Sequence, residues 1–179
     1  MMTEGIRLRP VELSDAEALA TVLTRNREYM RPREPARPES FYTVDGQLER
    51  LRVSLADREA GRTVPWVLEE TGTGNIVGTI TLNNIVMGPL RSGSVGYWVD
   101  AGFTGRGVAS GAVEEVCRIA RDELGMHRVE AGTMLDNVAS QRVLTKCGFE
   151  IYGVAPRYLL INGEWRDHRL FQRILHDRT

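Results

Sequence analysis

Phe103-Thr104-Gly105-Arg106-Gly107-Val108-Ala109-Ser110 joins a run that alternates like a strand, Ser94-Val95-Gly96-Tyr97-Trp98-Val99, to one with apolar residues at helical spacing, Val108, Ala112, Val116, Ile119 and Ala120. The start of a helix offers amides without intrahelical partners and roughly half a positive charge, so an anion binds well there. Gly105 and Gly107 lack Cβ atoms, which lets the backbone take unusual φ values and approach a ligand closely. A glycine turn with no ligand is the plain alternative. Three anionic ligands compete for such a loop. A P-loop requires a lysine that reaches the outer phosphates, and none stands here, which disfavours nucleoside triphosphates. A dinucleotide site fits better, because Gly105-x-Gly107 follows a strand and Glu130 lies about twenty residues on, where a ribose-binding acid belongs. Against it, Ser110 occupies the third glycine position and Glu130 falls inside the next strand. The third candidate is coenzyme A, whose pyrophosphate needs the same amides.

Bulk properties narrow the field. At 179 residues the chain suits one domain, residues 1–179, with a sizeable core. With 23 basic and 24 acidic side chains the net charge is −1, and no dense basic run invites nucleic acid or a membrane surface. Cys117 and Cys147 have neither metal spacing nor a framework of pairs, and read as small core residues in a reducing compartment. His127 and His168 stand apart from any acidic or cysteine cluster with ligand spacing, so no metal site is expected. Met1 to Gly5 lacks a basic, apolar leader, and no apolar run approaches the ~20 residues of a membrane span. The expectation is a soluble cytoplasmic protein, monomer or homodimer.

Along the chain, Ile6-Arg7-Leu8-Arg9 alternates like a short strand, and Ser14-Asp15-Ala16-Glu17 reads as a capping box for a helix running to about Glu28. Arg31-Pro32-Arg33-Glu34-Pro35-Ala36-Arg37-Pro38 cannot continue that helix and forms a proline-stiffened loop. Leu48, Leu51 and Leu55 mark a second helix closed by Gly61. Val64 to Glu69 and Ile76 to Leu82 form a hairpin around Thr71 to Asn75, with Asn83 and Asn84 closing the second strand. A strand over Gly93 to Val99 leads to the glycine loop. Arg128 to Met134 is a strand, Val138 to Lys146 a short helix, and two late strands surround Ile151 and Leu170. Trp66, Trp98 and Trp165 read as core or rim aromatics. The mixed order and the central position of the loop disfavour a dinucleotide fold, whose fingerprint sits on the first strand of its unit, and favour an α+β class.

Asp136-Asn137-Val138-Ala139-Ser140-Gln141-Arg142-Val143-Leu144-Thr145-Lys146-Cys147-Gly148-Phe149 is the second motif. Locally, Asn137 is an N-cap, Val138, Val143 and Leu144 face a core, and Gly148 ends the helix. Paired with the glycine loop, this segment resembles the signature of the GNAT acyltransferases, and the likeness extends from end to end. Asn26 to Pro35 and Tyr158-Leu159-Leu160-Ile161-Asn162-Gly163-Glu164-Trp165-Arg166-Asp167-His168 are similar to the RimJ/RimL type of ribosomal-protein-alanine N-acetyltransferase. The late segment is also a β-hairpin with an Asn-Gly turn, and a hairpin can wall a pocket.

That resemblance implies one mixed, mostly antiparallel, twisted sheet of six to seven strands, splayed at a parallel pair, with about four helices. It implies acetyl-CoA as co-substrate, threaded between the strand ending at Val99 and the strand starting near Arg128. Gly105, Arg106, Gly107, Val108, Ala109 and Ser110 would hold the pyrophosphate, Val99 and its neighbours would offer backbone groups to pantetheine and the thioester oxygen, and Asn137 would hold the pantetheine arm. Thr104 stands where the family usually has Gln or Arg, and Thr145 where many members have a tyrosine acid. RimJ/RimL-type members use a serine earlier on that helix, and the resemblance makes Ser140 the candidate acid or thiol-orienting group. Leu159 stands where RimL-like members have a glutamate base, which leaves Glu34 as the substitute base or substrate contact, with a solvated surface charge as the alternative. An α-amine has a reference pKa of about 7.7–8.0 against about 10.4 for lysine, so a protein N-terminus needs the least help to react. Asn83, Asn84, Tyr158, Asp167 and His168 are the further acceptor-side candidates. The implied partner is a protein N-terminus, such as that of ribosomal protein uS5. A small amine or antibiotic, or a non-catalytic acyl-CoA-binding module, are the alternatives.

Overall fold

In the computed structural model, which describes residues 2–177, the chain runs β1 (Ile6–Pro10), α1 (Ala16–Met30), α2 (Val44–Glu59), β2 (Val64–Glu70), β3 (Ile76–Val86), β4 (Ser92–Val99), α3 (Val108–Asp122), β5 (Arg128–Met134), α4 (Val138–Lys146), β6 (Glu150–Ile161) and β7 (Glu164–Ile174). Met1, where the segment read as lacking a leader begins, lies outside the described residues, as do Arg178 and Thr179. Every interior residue of β2 is buried, so the sheet needs cover on both faces. On one face Trp66 and Leu68 join Val95, Val99, Val129 and Ala131 under the α3 stripe of Val108, Ala112, Val113, Val116 and Ala120. On the other, Val67 and Ile76 meet Leu19, Val22 and Leu23 of α1 and Leu51 of α2. Trp98 packs against this second cluster, while Trp165 is exposed.

The seven strands form one sheet in the order β1-β2-β3-β4-β5-β7-β6. Only the β4–β5 pair is parallel. This is the α+β arrangement with four α-helices that the sequence implies. Asn162 at φ 48° and Gly163 at φ 86° make the β6–β7 turn, the positive-φ pair that suits a tight hairpin.

Three expectations are corrected. The box at the start of α1 is not Ser14 to Glu17: the Asp15 carboxylate accepts the Glu12 N–H at 2.8 Å, and Ser14 Oγ donates to Glu12 Oε2 at 3.2 Å. Arg9 holds Asp15 there with bonds of 2.9 and 2.6 Å, and a single 3-10 turn, Leu13–Asp15, precedes α1. The proline segment opens as a 3-10 turn, Arg31–Arg33, because Pro32 falls in its first positions, where a missing N–H costs nothing. Asn83 and Asn84 do not close β3. They lie at a register shift between Asn83 and Val86, with Asn84 at φ 52° and its amide donating to Ser94 Oγ at 3.1 Å. Asparagine tolerates that left-handed backbone, so the strand bends and continues.

Candidate active site

Parallel pairing between β4 and β5 holds for Ser92 with Arg128, Gly93 with Val129 and Ser94 with Glu130, and then stops. Beyond Ser94 the strands diverge, and a cleft of about 160 Å³ opens between Val95, Gly96 and Tyr97 on one side and Ala131 to Met134 on the other. Asn137, the cap of α4, closes one face together with Ser140 and Leu144, and Arg33 and His168 line it as well, whereas Val138, expected to face the core, is exposed because it sits on the outer side of the first turn. The end of β4 is pinned by α1. The buried Asn26 donates to Asp100 Oδ2 at 2.8 Å and accepts the Ala101 N–H at 2.9 Å, and Arg25 Nε donates to the same carboxylate at 3.0 Å. Burial alone would raise the Asp100 carboxyl; hydrogen bonds from Asn26 and Arg25 outweigh it and hold the group below the usual carboxylate range.

Alternation on β4 sends Tyr97 to the α3 and α4 face with Val95 and Val99. Its hydroxyl lies 2.9 Å from Ser140 Oγ, and the Ser140 N–H donates to Asn137 Oδ1 at 3.2 Å, so the cap of α4 also orients the serine. That cap uses only the oxygen of Asn137, not its Nδ2 donor. Burial pushes the Tyr97 phenol up to about 12, more than the Ser140 bond lowers it, so it is a neutral hydroxyl near pH 7, able to donate or accept. Tyr97 is a site residue that sequence reasoning missed, as are Arg33 and Thr133 in the same cleft. Only the period-2 match of Tyr97 to Val95 and Val99 hinted at its direction.

At the other end, Gly105 and Gly107 sit at φ 74° and 81°, and Gly107 is the N-cap of α3 with no side-chain cap bond. The first amides of α3, at Val108, Ala109 and Ser110, therefore face outward without a capping side chain. Thr104 Oγ1 donates to the Ala101 carbonyl at 3.0 Å, and the Arg106 guanidinium stacks 4.9 Å over Phe103. Val99 ends β4 opposite Gly78, its side chain buried.

On the side of the β6–β7 hairpin, the His168 ring is buried, 5.4 Å from the ring of Tyr158 and hydrogen-bonded through Nδ1 to the Arg166 carbonyl at 3.0 Å. Asp167 Oδ1 accepts the N–H of Arg157, a residue at φ 50° in a β6 bulge. Glu34 does not line the cleft with Ser140. Its carboxylate pairs with Arg37 at 3.5 Å beside a second cavity of about 420 Å³ that also touches Arg27, Arg31, Tyr42 and Asn162. Asn83 and Asn84, at the β3 bulge, are likewise outside the cleft lining.

One atom in the cleft is conspicuous. Thr133 is buried, and its hydroxyl is among the few buried side-chain polar atoms with no hydrogen-bond partner. An unmet hydroxyl on a cleft wall, a free strand edge and a positive-φ glycine cradle fit a long ligand with amides along its length and a diphosphate at its end. Burial pushes the Cys117 thiol up to about 12 and the Cys147 thiol to about 11, so neither is a thiolate nucleophile at neutral pH. Among the described residues no cluster of three or more His, Cys, Asp or Glu could hold a metal, and no helix is long and apolar enough to cross a membrane.

Known proteins carry the same construction. Residues 6–150 match the family model of the acetyltransferase (GNAT) domain. The probable N-acetyltransferase YjcK of Bacillus subtilis is 34% identical over 165 residues, 92% of this chain and 91% of the relative. The crystal structure of the ribosomal-protein-S5-alanine acetyltransferase from Vibrio fischeri superposes with a TM-score of 0.94 at 32% identity, covering 99% of this chain and 97% of that one. RimJ of Mycobacterium smegmatis, solved with CoA-disulfide, superposes with a TM-score of 0.90 at 32% identity, over 94% of this chain and 81% of that one. The splayed parallel pair, the glycine cradle and these likenesses agree, and the chain belongs to the GNAT N-acetyltransferases, similar within them to the RimJ type of ribosomal-protein-alanine enzyme.

Proposed function

We propose that this chain transfers an acetyl group from acetyl-CoA to the N-terminal α-amine of a protein, by direct attack on the thioester. The observation that carries this reading is the cleft through the unpaired half of the β4–β5 pair, with Ser140 and Tyr97 on one face and an acceptor wall on the other. Coenzyme A would supply an activated carbonyl and a thiolate leaving group. Amides from Gly105, Arg106, Gly107, Val108, Ala109 and Ser110 would hold its diphosphate, and Asn137 and the free edge of β4 up to Val99 its pantetheine arm. A β4 amide on that edge stabilises the oxyanion as the amine nitrogen bonds to the carbonyl carbon. Ser140 Oγ gives its proton to the departing sulfur as the C–S bond breaks. Tyr97, kept protonated by burial, donates to Ser140 in turn.

Arg33 lines the cleft and its neighbour Glu34 lines the larger cavity beside Asn162, so one loop contributes to both spaces. The amine would enter the first, and the following residues of the acceptor would lie in the second. Glu34, held by Arg37, then contacts the acceptor peptide, with Tyr158 and Asp167 shaping the hairpin wall. Similarity to the S5-alanine enzyme of Vibrio fischeri supports a ribosomal protein as that acceptor. Comparing protein N-termini by mass spectrometry in cells with and without this gene tests the reading. A small set of N-termini that lose acetylation without the gene is expected. Unchanged N-termini together with turnover of free amines in vitro would replace it with a small-amine transferase, and acetyl-CoA binding without any transfer would indicate a binding module.

A further inference from the structure

Direct attack leaves a proton on the acceptor nitrogen, and the carboxylates near the cleft are otherwise engaged. Asp136 accepts from Arg166 at 3.0 Å, Glu130 is paired with Arg128, and Asp167 accepts a backbone N–H. Glu34 lies in the neighbouring cavity. His168 differs from all of these. It lines the cleft and is 4% exposed. Its Nδ1–H donates to the Arg166 carbonyl, which fixes the tautomer and leaves a lone pair on Nε2. The ring also leans the right way. A Cβ built on Gly132 of β5 would meet His168 Cδ2 at 3.8 Å and Tyr158 Cε1 at 3.8 Å, so the edge that carries Nε2 overhangs β5, the strand that walls the gap. Gly132 has no side chain to fill the space beneath.

We propose that His168 is the general base of this enzyme, acting through Nε2 on the acceptor nitrogen. This rests on the acetyl-transfer reading above. As the nitrogen bonds to the thioester carbon, it acquires positive charge; its N–H proton passes to Nε2, the carbonyl re-forms, the C–S bond breaks, and Ser140 protonates the sulfur. The imidazolium so formed keeps its Nδ1–H bond to the Arg166 carbonyl.

Chemical rescue is the test. With a peptide acceptor bearing a free N-terminal alanine, His168→Ala should lower kcat by about a hundredfold or more, the scale of general base catalysis, while acetyl-CoA affinity stays within about twofold of the parent. Added imidazole should restore a large part of the rate by occupying the vacated space. His168→Gln, which keeps bulk and polarity but not basicity, should show the loss without the rescue. Either variant retaining kcat within about threefold, or a His168→Ala loss that imidazole leaves untouched while acetyl-CoA still binds, would overturn the assignment. If the parent protein acetylates free amines and no peptide, the N-terminal reading fails, and the same comparison on that amine decides the role of His168.

Discussion

The donor end and the acceptor end of the cleft are built from different material. At the donor end the work falls to backbone: two glycines at positive φ, the uncapped start of α3, and the free edge of β4, all set on a helix whose inner stripe is fully buried. At the acceptor end it falls to side chains from distant segments, the Arg31 to Pro38 loop and the β6–β7 hairpin, where Tyr158, Leu159, Leu160 and Trp165 are exposed. A site made of backbone can be built by many sequences, whereas one made of side chains changes with each substitution; under the proposed function, acceptor choice would therefore be set by the proline loop and the β6–β7 hairpin.

Substitutions that separate the two ends sharpen that contrast. The largest effect on turnover at the donor end is expected from Ser140→Ala, which should lower kcat by about a hundredfold through loss of the proton donor, with acetyl-CoA affinity little changed. Unaltered kcat would remove Ser140 from the chemistry. Gly107→Val should act in the opposite way. Its Cβ would have space, with only Thr3 Oγ1 at 3.6 Å, but a β-branched residue at φ 81° costs on the order of 1–2 kcal/mol and distorts the amide cradle. Acetyl-CoA binding should weaken by about tenfold or more in calorimetry, and unchanged affinity would contradict the cradle.

Smaller effects follow from the partners. Tyr97→Phe removes the bond to Ser140 and should cost about three- to tenfold in kcat, the worth of one hydrogen bond. Thr133→Val is expected to have two effects of opposite sign. Replacing the unsatisfied hydroxyl by a methyl should leave Tm level or raise it, and should weaken acetyl-CoA binding a few-fold if the hydroxyl serves that ligand. A lower Tm would show that the hydroxyl has a structural partner.

The pH dependence of stability checks how the β1–β2 edge and the end of β4 are held. Hydrogen bonds from Arg9 lower the Glu69 carboxyl, and those from Asn26 and Arg25 hold Asp100 low against burial. Carboxyls depressed in the folded state contribute stability above the ordinary carboxylate range of about pH 4, and that contribution is lost as pH falls through the folded values. The urea midpoint should therefore drop below about pH 4, and Asp100→Asn should flatten part of that drop.

The contrast between the two ends also explains what the sequence disclosed. The bounds of β5 and α4 follow from period and caps alone, because Asn137 and Gly148 punctuate the chain where the backbone turns. The glycine loop is legible for the same reason. Asn83 and Asn84 mislead because an asparagine can sit at positive φ inside a bulged strand as well as at its end. The Ser14 box misleads because Arg9, five residues earlier, recruits Asp15 instead. Tyr97 and Ser140, 43 positions apart, meet only through the sheet, and the separation of Glu34 from the cleft depends on the path of a proline-rich loop. Long-range contacts of that kind leave no local spacing to read.

The most direct test of the whole account uses one peptide with a free N-terminal alanine and an internal lysine. After incubation with acetyl-CoA, tandem mass spectrometry assigns the site of acetylation. Acetylation of the α-amine, slowed about a hundredfold by Ser140→Ala and leaving the lysine untouched, is the predicted result. Acetyl groups on the lysine alone, or on neither amine, would contradict the reading of this cleft as a site for protein N-termini.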